Sequence, residues 1–352
     1  MRFFPLVVGA AVVAAAAAGG GAGQGRVARD DTSWLQARLD AGGGRIFLPK
    51  LANGACYATR GLWVSHDRTQ IVSNGACIRS LGPGPVRLVS PDGDPVASDA
   101  VFFVNRSRQF DPTPIHVTIR GLKIVVPAAT RTYGVAIFGH EVVVRNVTVT
   151  GSPIDDVYVG DRANGDGYSS RVSILNCRLS GGGRNVISAV SFIQLRIAGN
   201  RITGASNSYR PDPGAGGNPS AGIDVEPNSR GELALDLRIE HNLIAENAGP
   251  GILVALSPRS GLSINADRMA IVGNRILRNG LGKGTEHGGI VFYGGQEDGR
   301  GRAVVARNVV HGNRGPGLVG WRMTLGVEAH GNDLSGNEGG PYRNVKFVRG
   351  RR

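Results

Sequence analysis

An asparagine recurs about every 30 residues over the second half of the chain, and this repeat limits the fold more than any other feature. Each one interrupts a segment of alternating apolar residues, as in "LRIEHNLI" and "MAIVGNRI". Repeats of this length cannot bury their own apolar face, so neighbouring units must stack. The series is Asn146, Asn176, Asn200, Asn242, Asn274, Asn308 and Asn332, and Asn247, Asn279, Asn313 and Asn337 follow the last four.

Short strand-like segments lie between these marks, and glycine or small turn residues bracket most of them. They cover 134–140, 156–160, 185–190, 222–226, 251–255, 289–293 and 317–321. Brief strands repeating without a helical period predict an all-β fold, a single-stranded right-handed parallel β-helix. Asparagines at one corner of successive coils can hydrogen-bond along the stack and also adopt the left-handed backbone that a corner requires.

The N-terminal residues predict an exported protein. Arg2, an apolar run to Ala18 and the small residues "GGGAGQG" fit a signal peptide over 1–25, with the cleavage site left open. We expect no membrane span after cleavage, and hence a secreted or periplasmic protein. The β-helix domain is predicted over 28–350.

A short helix is predicted ahead of the first strand, in "DDTSWLQARLDAGGGRIFLP". One of Asp30, Asp31 and Thr32 can cap it, Leu35 and Leu39 give it an apolar side, and the glycines end it. Repeat folds need terminal caps, so this helix is expected to cover the open end of the coil.

The three cysteines divide into a matching pair and a single residue. Cys56 and Cys77 lie in "NGACYATR" and "NGACIRS" and can form a disulfide between adjacent turns in an oxidising compartment. Cys177 follows Asn176 in the repeat, where a small buried apolar residue is expected.

The balance of charge favours an anionic partner. The formal net charge is +13, which suits an acidic, uronate-containing polysaccharide or another anionic surface outside the cell. The chain has no run of interleaved basic and aromatic residues, so nucleic acid is not the expected partner.

The N-terminal segment, together with "GIDVEPN", "ENAGPGILV" and "GNRILRNG", resembles the pectate-lyase-like superfamily of right-handed β-helix proteins. The resemblance covers most of the chain after residue 28. It implies the fold and leaves the activity open, because those families include lyases, hydrolases, epimerases and non-enzymatic adhesins. The acidic elements "NTD", "DD" and "GHG" of polygalacturonases and the "DPHD" signature of alginate epimerases are not matched.

Two acids in the strand "AGIDVEPN" are the strongest candidates for chemistry. Ile223 and Val225 read as its buried side, which turns Asp224 and Glu226 outward although carboxylates disfavour strands. Aligning the repeats places Ile187 beside Asp224 and Ala189 beside Glu226. Low surrounding polarity should raise the pKa of one carboxyl. The pair can serve a retaining or an inverting glycosidase, hold calcium, or be a solvated acidic pair without a function.

Residues of adjoining coils are expected to flank the acids. Arg184 and Asn185 enter on one side, and Lys283 and His287 precede the strand on the other. The segment 204–221 can wall a groove. Further residues predicted to bind substrate, in the same or a neighbouring column, are Tyr293, Trp321 and Asp156.

These features together predict an enzyme that cleaves an acidic polysaccharide by elimination. Arg184 or calcium would neutralise the uronate carboxylate, while Arg184, Lys283, His287 or Tyr293 would remove a proton. Asp224 and Glu226 would then be metal ligands or charge partners. Hydrolysis by Asp224 and Glu226, epimerisation, and non-catalytic carbohydrate binding stay open as alternatives.

Overall fold

The computed structural model of the chain describes most residues from Arg29 to Val348. The described ranges are 29–82, 88–89, 95–96, 100–106, 115–130, 132–160, 167–206, 208, 219–227, 231–256, 265–282, 288–294, 301–323 and 325–348. The predicted signal peptide falls outside them and stays a prediction.

Three parallel sheets, here called A, B and C, wrap around one core, and each coil of the chain contributes strands in the order A, B, C. Neighbours within a sheet come from successive coils and pair in parallel, as Ile187 pairs with Ile223 and Ile223 with Ile252. The chain is a right-handed parallel β-helix, with the hand that crossovers between parallel strands take. The predicted fold class is confirmed.

The strands have the following bounds. Sheet A comprises Gly44–Leu48, Thr69–Ser73, Val117–Arg120, Val142–Arg145, Ser169–Leu175, Phe192–Ala198, Leu233–Glu240, Met269–Val272, Arg302–Ala306 and Gly326–His330, with Asn265–Asp267 pairing with Leu233–Glu240. Sheet B comprises Cys56–Thr59, Cys77–Ser80, Lys123–Val125, Thr148–Thr150, Arg178–Ser180, Arg201–Thr203, Leu243–Ala245, Arg275–Leu277 and Val309–His311. Sheet C comprises Leu62–Val64, Ala100–Val104, Tyr133–Ile137, Asp155–Val159, Asn185–Ala189, Ile223–Val225, Ile252–Leu256, Ile290–Gly294, Leu318–Trp321 and Tyr342–Arg343. Leu88–Val89 and Pro95–Val96 form a small antiparallel pair, and Ala52–Gly54 and Ala128–Thr130 are 3₁₀ turns.

The N-terminal helix, Thr32–Asp40, covers the first coil as predicted. Its Leu35 and Leu39 are buried in the common core. Two polar side chains satisfy the edges of the first strands: Gln36 exchanges two hydrogen bonds with the backbone of Trp63 in sheet C, and Asp31 accepts one from the Ala58 amide in sheet B. Asp31 precedes the helix but makes no side-chain cap, because its carboxylate binds that strand.

Buried asparagines form two ladders along the stack. In the first, the Oδ1 atom of each residue accepts hydrogen bonds from the backbone and side-chain amides of the residue one coil before it, as between Asn242 and Asn274 at 2.9 and 3.0 Å. The members are Asn200, Asn242, Asn274, Asn308 and Asn332 in one ladder, and Asn247, Asn279, Asn313 and Asn337 in the other.

Asn146 and Asn176 were predicted to belong to the first ladder, and this is wrong. Both are exposed and have positive φ, 52° at each. Cys177 takes the ladder position instead, because its backbone amide donates to Asn200 Oδ1 at 2.8 Å. The sequence analysis gave one asparagine both the left-handed corner and the ladder hydrogen bond. In the structure, one residue adopts the left-handed corner and the next residue makes the ladder hydrogen bond.

The structure decides the state of the three cysteines. Cys56 and Cys77 are register partners in sheet B and form a disulfide, with Cα atoms 4.4 Å apart. Cys177 is a free, buried thiol, and burial raises its pKa to about 11.

Candidate functional site

The outer face of sheet C carries Asp224 in a column that runs the length of the helix. The column is Trp63, Phe103, Ala136, Tyr158, Ser188, Asp224, Leu253, Val291 and Val319. Ser188, and not Ile187 as predicted, lies beside Asp224, and Ala189 pairs with Val225 instead of standing beside Glu226. In "NVISAV", apolar residues occupy both odd and even positions, so alternation alone does not show which side chains point to the core. An error of one residue in the register moves every side chain of the strand to the opposite face of the sheet.

Asp224 points outward but is buried, at 1% exposure, so the expectation of an exposed acid is wrong for this residue. Its Oδ2 accepts a hydrogen bond of 2.9 Å from Asn185 Nδ2, and its Oδ1 has no hydrogen-bond partner among the described residues. Burial raises the pKa of Asp224 well above its ordinary value. The charge of Glu226 raises it further, and the Arg184 cation opposes the shift. Asp224 is therefore a carboxyl poised to keep its proton.

Arg184 reaches this cluster from the preceding coil, where Asp155 holds it. Arg184 Nε donates to Asp155 Oδ1 at 3.1 Å and Nη2 to Oδ2 at 2.6 Å, and Nη2 also lies 3.3 Å from Ser188 Oγ. Burial alone would lower the pKa of Arg184, but the charge of Asp155 and these hydrogen bonds raise it well above its ordinary value. The side chain keeps 24% exposure. Arg184 is thus a fixed, partly accessible cation that does not give up its proton.

Asn185 lies inside the cluster and is fully buried. Its Nδ2 donates to Asp224 and to Ser188 Oγ, and its Oδ1 accepts from the Ala221 amide at 2.9 Å. All these contacts are internal, so in this conformation Asn185 orients Asp224 and presents no free group to a ligand.

Glu226 is the more accessible acid of the pair. It is half-buried, follows the strand Ile223–Val225, and its backbone amide donates to the Ala189 carbonyl at 3.0 Å. Its carboxylate is therefore the more exposed of the two acids.

Asp156 does not lie on the outer face. It is fully buried, and neither carboxyl oxygen has a hydrogen-bond partner of good geometry in the described part of the chain. The equivalent residue of the next coil, Val186, belongs to the core. Burial raises the pKa of Asp156 well above its ordinary value, which the nearby Ser152 and Ser180 amides only partly offset.

Aromatic side chains lie on the outer face on both sides of the acids. Tyr293 and Trp321 stand in the column of Glu226, two and three coils onward, as predicted, and Trp321 is 43% exposed. With neighbouring strands about 4.8 Å apart, Trp321 lies about 14 Å along the helix from Glu226.

A second aromatic group, which the sequence analysis did not single out, lies on the other side of the acids. Its rings pack against one another at centroid distances of 4.9–5.6 Å. Tyr158 stands next to Ser188 in the column. Tyr133 and Tyr158 are both close enough to Arg184 to raise its pKa. The sequence contains a sign of this cluster, because an aromatic residue recurs in or beside the sheet C strands that precede Asp224. This aromatic cluster consists of Trp63, Phe103, Tyr133, Phe138 and Tyr158.

Three predicted parts of the site lie outside the described residues. They are Lys283, His287 and most of the segment 204–221. Their participation stays a prediction.

Calcium binding at Asp224 and Glu226 also stays a prediction. Calcium takes 6–8 oxygen ligands. In the described ranges, no group of three His, Cys, Asp or Glu side chains is placed to hold a metal ion. A carboxyl that favours its proton beside a fixed guanidinium is a poor calcium ligand, so these residues do not by themselves fit the ion.

Solved structures similar to this chain share its architecture at low identity. An alginate lyase from Paenibacillus sp. str. FPU-7 is 14% identical, with 91% of this chain and 98% of that chain covered and a TM-score of 0.48. The surface protein and adhesin PfbA of Streptococcus pneumoniae is 13% identical, covering 91% and 95%, with a TM-score of 0.44. The catalytic unit of a GH87 alpha-1,3-glucanase from Streptomyces thermodiastaticus is 12% identical, covering 91% and 66%, with a TM-score of 0.46.

These similarities concern the fold alone. The sequence matches no protein-family model and no curated protein. Within the residues that the structure describes, no helix is long and apolar enough to cross a bilayer. The function has to be argued from the cluster on sheet C.

Proposed function

We propose that this chain is an exported enzyme that cleaves an acidic polysaccharide on the outer face of sheet C. The observation that carries the proposal is the cluster of Asp224, Glu226 and Arg184. It joins a carboxyl whose pKa burial raises, a half-buried acid and a fixed cation between two groups of aromatic side chains. Departures from strand propensity of this kind are expected at functional sites.

Cleavage of a glycosidic bond needs a proton for the leaving oxygen. Asp224 suits this role because its raised pKa keeps it neutral, and its Oδ1 has no hydrogen-bond partner among the described residues. In hydrolysis, Glu226 accepts the proton of the attacking water or attacks the sugar directly. Since Asp224 is buried, the groups that shield its Oδ1 from solvent must move when the sugar binds.

Arg184 is assigned to the sugar carboxylate. A guanidinium binds carboxylates through planar, paired hydrogen bonds, and Asp155 occupies only part of its donor set. Its raised pKa argues against a role in removing a proton. The base for elimination must therefore be a side chain other than Arg184.

Elimination is the second candidate, and the position of Tyr158 favours it. This phenol lies near Arg184, so a uronate carboxylate bound to Arg184 would bring its sugar ring close to the phenol. Tyr158, as the phenolate, would remove the C5 proton and become the phenol. The C4–O bond would break to leave a C4–C5 double bond, and Asp224 would give its proton to the leaving oxygen and become the carboxylate.

A binding protein without catalysis is the competing class. The solved structures of similar architecture include enzymes named for polysaccharides and an adhesin, so the shared fold does not choose between these classes. The proposal of catalysis rests on the cluster.

One assay separates these reactions. The purified protein is incubated with polygalacturonate, alginate and neutral glycans, with and without a chelator, and both reducing ends and ultraviolet absorbance of unsaturated uronates are recorded. We expect new reducing ends from an acidic polymer. Absorbance that rises with them means elimination, and reducing ends alone mean hydrolysis. Binding with neither product would refute the enzyme.

A further inference from the structure

The outer face of sheet B carries a row of positive charge. At the C-terminal end of this row, Asp333 bridges to Val309 and forms an ion pair with His311. Each strand turns its middle residue inward and its flanking residues outward. One outward column reads Cys56, Cys77, Lys123, Thr148, Arg178, Arg201, Leu243, Arg275 and Val309. The other contains Arg79 and His311, and no Asp or Glu occurs in any strand of the sheet.

The four cations of this column are exposed, and Arg201 lies close enough to Glu246 to help lower the pKa of that carboxyl. Lys123, Arg178, Arg201 and Arg275 make no ion pair with any acid in the described ranges. Glu246, at the edge of this face, is ion-paired with Arg278. From Lys123 to Arg275 the column crosses five strand spacings, about 24 Å at 4.8 Å each.

Sheet A, in contrast, contains acids that pair with several of its arginines. Arg196 and Arg238 pair with Glu240, Arg268 pairs with Asp236, and Arg171 with Glu141. Four other arginines of sheet A make no ion pair with any acid in the described ranges, namely Arg45, Arg120, Arg145 and Arg302. The two sheets therefore differ in their acids, since the strands of sheet A contain acids among their arginines, whereas the strands of sheet B contain none.

We propose that the outer face of sheet B is a second binding site, which holds a linear acidic polysaccharide along the helix axis. The four cations stand in one line at one or two strand spacings, which matches carboxylates repeated along an extended polymer. A membrane surface would need a broad cationic plane. The described strands of this sheet expose no aromatic row on which nucleic-acid bases could stack.

This site is independent of the cluster on sheet C, because the two sheets are different faces of the same coils. A polymer held on sheet B leaves the outer face of sheet C open. The site would keep the protein on its polymer whether or not sheet C cleaves it.

The test compares two triple variants of equal net charge. Arg178→Gln/Arg201→Gln/Arg275→Gln removes the row, and Arg45→Gln/Arg238→Gln/Arg302→Gln removes three exposed arginines of sheet A. Both are made in a Glu226→Gln background to prevent turnover, and binding to polygalacturonate is titrated at low and high salt. We expect the first variant to lose at least about tenfold in affinity, from roughly two- to threefold per exposed charge, and to lose salt dependence.

Two results would overturn the proposal. Equal losses in both variants would mean attraction by net charge alone. A loss confined to double-stranded DNA or anionic vesicles, assayed in parallel, would assign the row to another kind of partner. Circular dichroism and thermal unfolding of each variant confirm that the fold is retained, so that a change in affinity reports the surface.

Discussion

The buried carboxylate of Asp155 binds the guanidinium of Arg184 across adjacent coils through two hydrogen bonds, of 3.1 and 2.6 Å. Asp155 is fully buried, and Arg184 keeps 24% exposure. A third contact to Asp155 comes from the Asn185 amide at 3.0 Å. This pair fixes the cation of the candidate site, so its removal should affect both the fold and the site.

Asp155→Asn should lower the free energy of unfolding by roughly 3 kcal/mol, because it leaves a largely buried guanidinium without its counter-charge. Urea denaturation measures the loss. Asp236→Asn is the matched control, since Asp236 also binds an arginine, Arg268, through two hydrogen bonds but at the exposed surface. It should cost no more than about 1 kcal/mol. Similar losses in both variants would show that Asp155 has no special structural role.

Glu226→Gln should lower kcat on an acidic polymer by at least about 100-fold, the range of general acid–base catalysis. Asp224→Asn should do the same. The control is Glu328→Gln, which changes a half-exposed glutamate on the outer face of sheet A. Activity of the Glu226 variant equal to that of the Glu328 variant would remove Glu226 from the mechanism.

The turnover rate should fall as pH rises through the raised pKa of Asp224, because the neutral acid needed for the leaving oxygen is then lost. The pH profile of kcat measures this limb. A profile that stays flat to alkaline pH would contradict the assignment of Asp224 as the proton donor.

Asp156 should make the fold less stable as pH rises. Its folded-state pKa lies above the ordinary value of 3.8, so the folded chain holds a proton that the unfolded chain releases. Between these two pKa values the free energy of unfolding falls by up to about 1.4 kcal/mol per pH unit. Asp156→Asn should remove this slope in denaturation measured from pH 4 upward. Parallel profiles for the variant and the natural chain would refute the assignment.

Replacement by glycine should destabilise the fold at a ladder asparagine and have little effect at a corner asparagine. Asn274→Gly should cost roughly 3 kcal/mol, because it leaves the Asn242 amides and the Ile239 carbonyl without partners. Asn176→Gly should change stability by less than about 1 kcal/mol, since Asn176 is exposed and glycine adopts its positive φ freely. Thermal unfolding compares the two, and equal losses would contradict the division of tasks.

The sequence was enough to predict the β-helix, its capping helix and the column that places Tyr293 and Trp321 beyond Glu226, while the Cys56–Cys77 disulfide stayed open until the register of sheet B was known. Each of these predictions follows from the local alternation of apolar residues, or from the sequence repeat, which places equivalent residues of successive coils side by side. Where one segment has apolar residues at both parities, as in "NVISAV", the same reasoning misplaced Ser188, because alternation cannot choose between two apolar faces.

The surroundings of each charged side chain became known from the packing of the coils. Asp155 and Asp156 are neighbours in sequence, yet one binds Arg184 and the other is buried with no hydrogen bond of good geometry from the described residues. Asp224 and Glu226 are two residues apart, yet one is buried and the other accessible. Burial and charge partners depend on side chains from other coils, 29 to 39 residues away along the chain in the contacts of Asp155 and Asp224. Such distances are set when the coils close, and a local pattern contains no information about them.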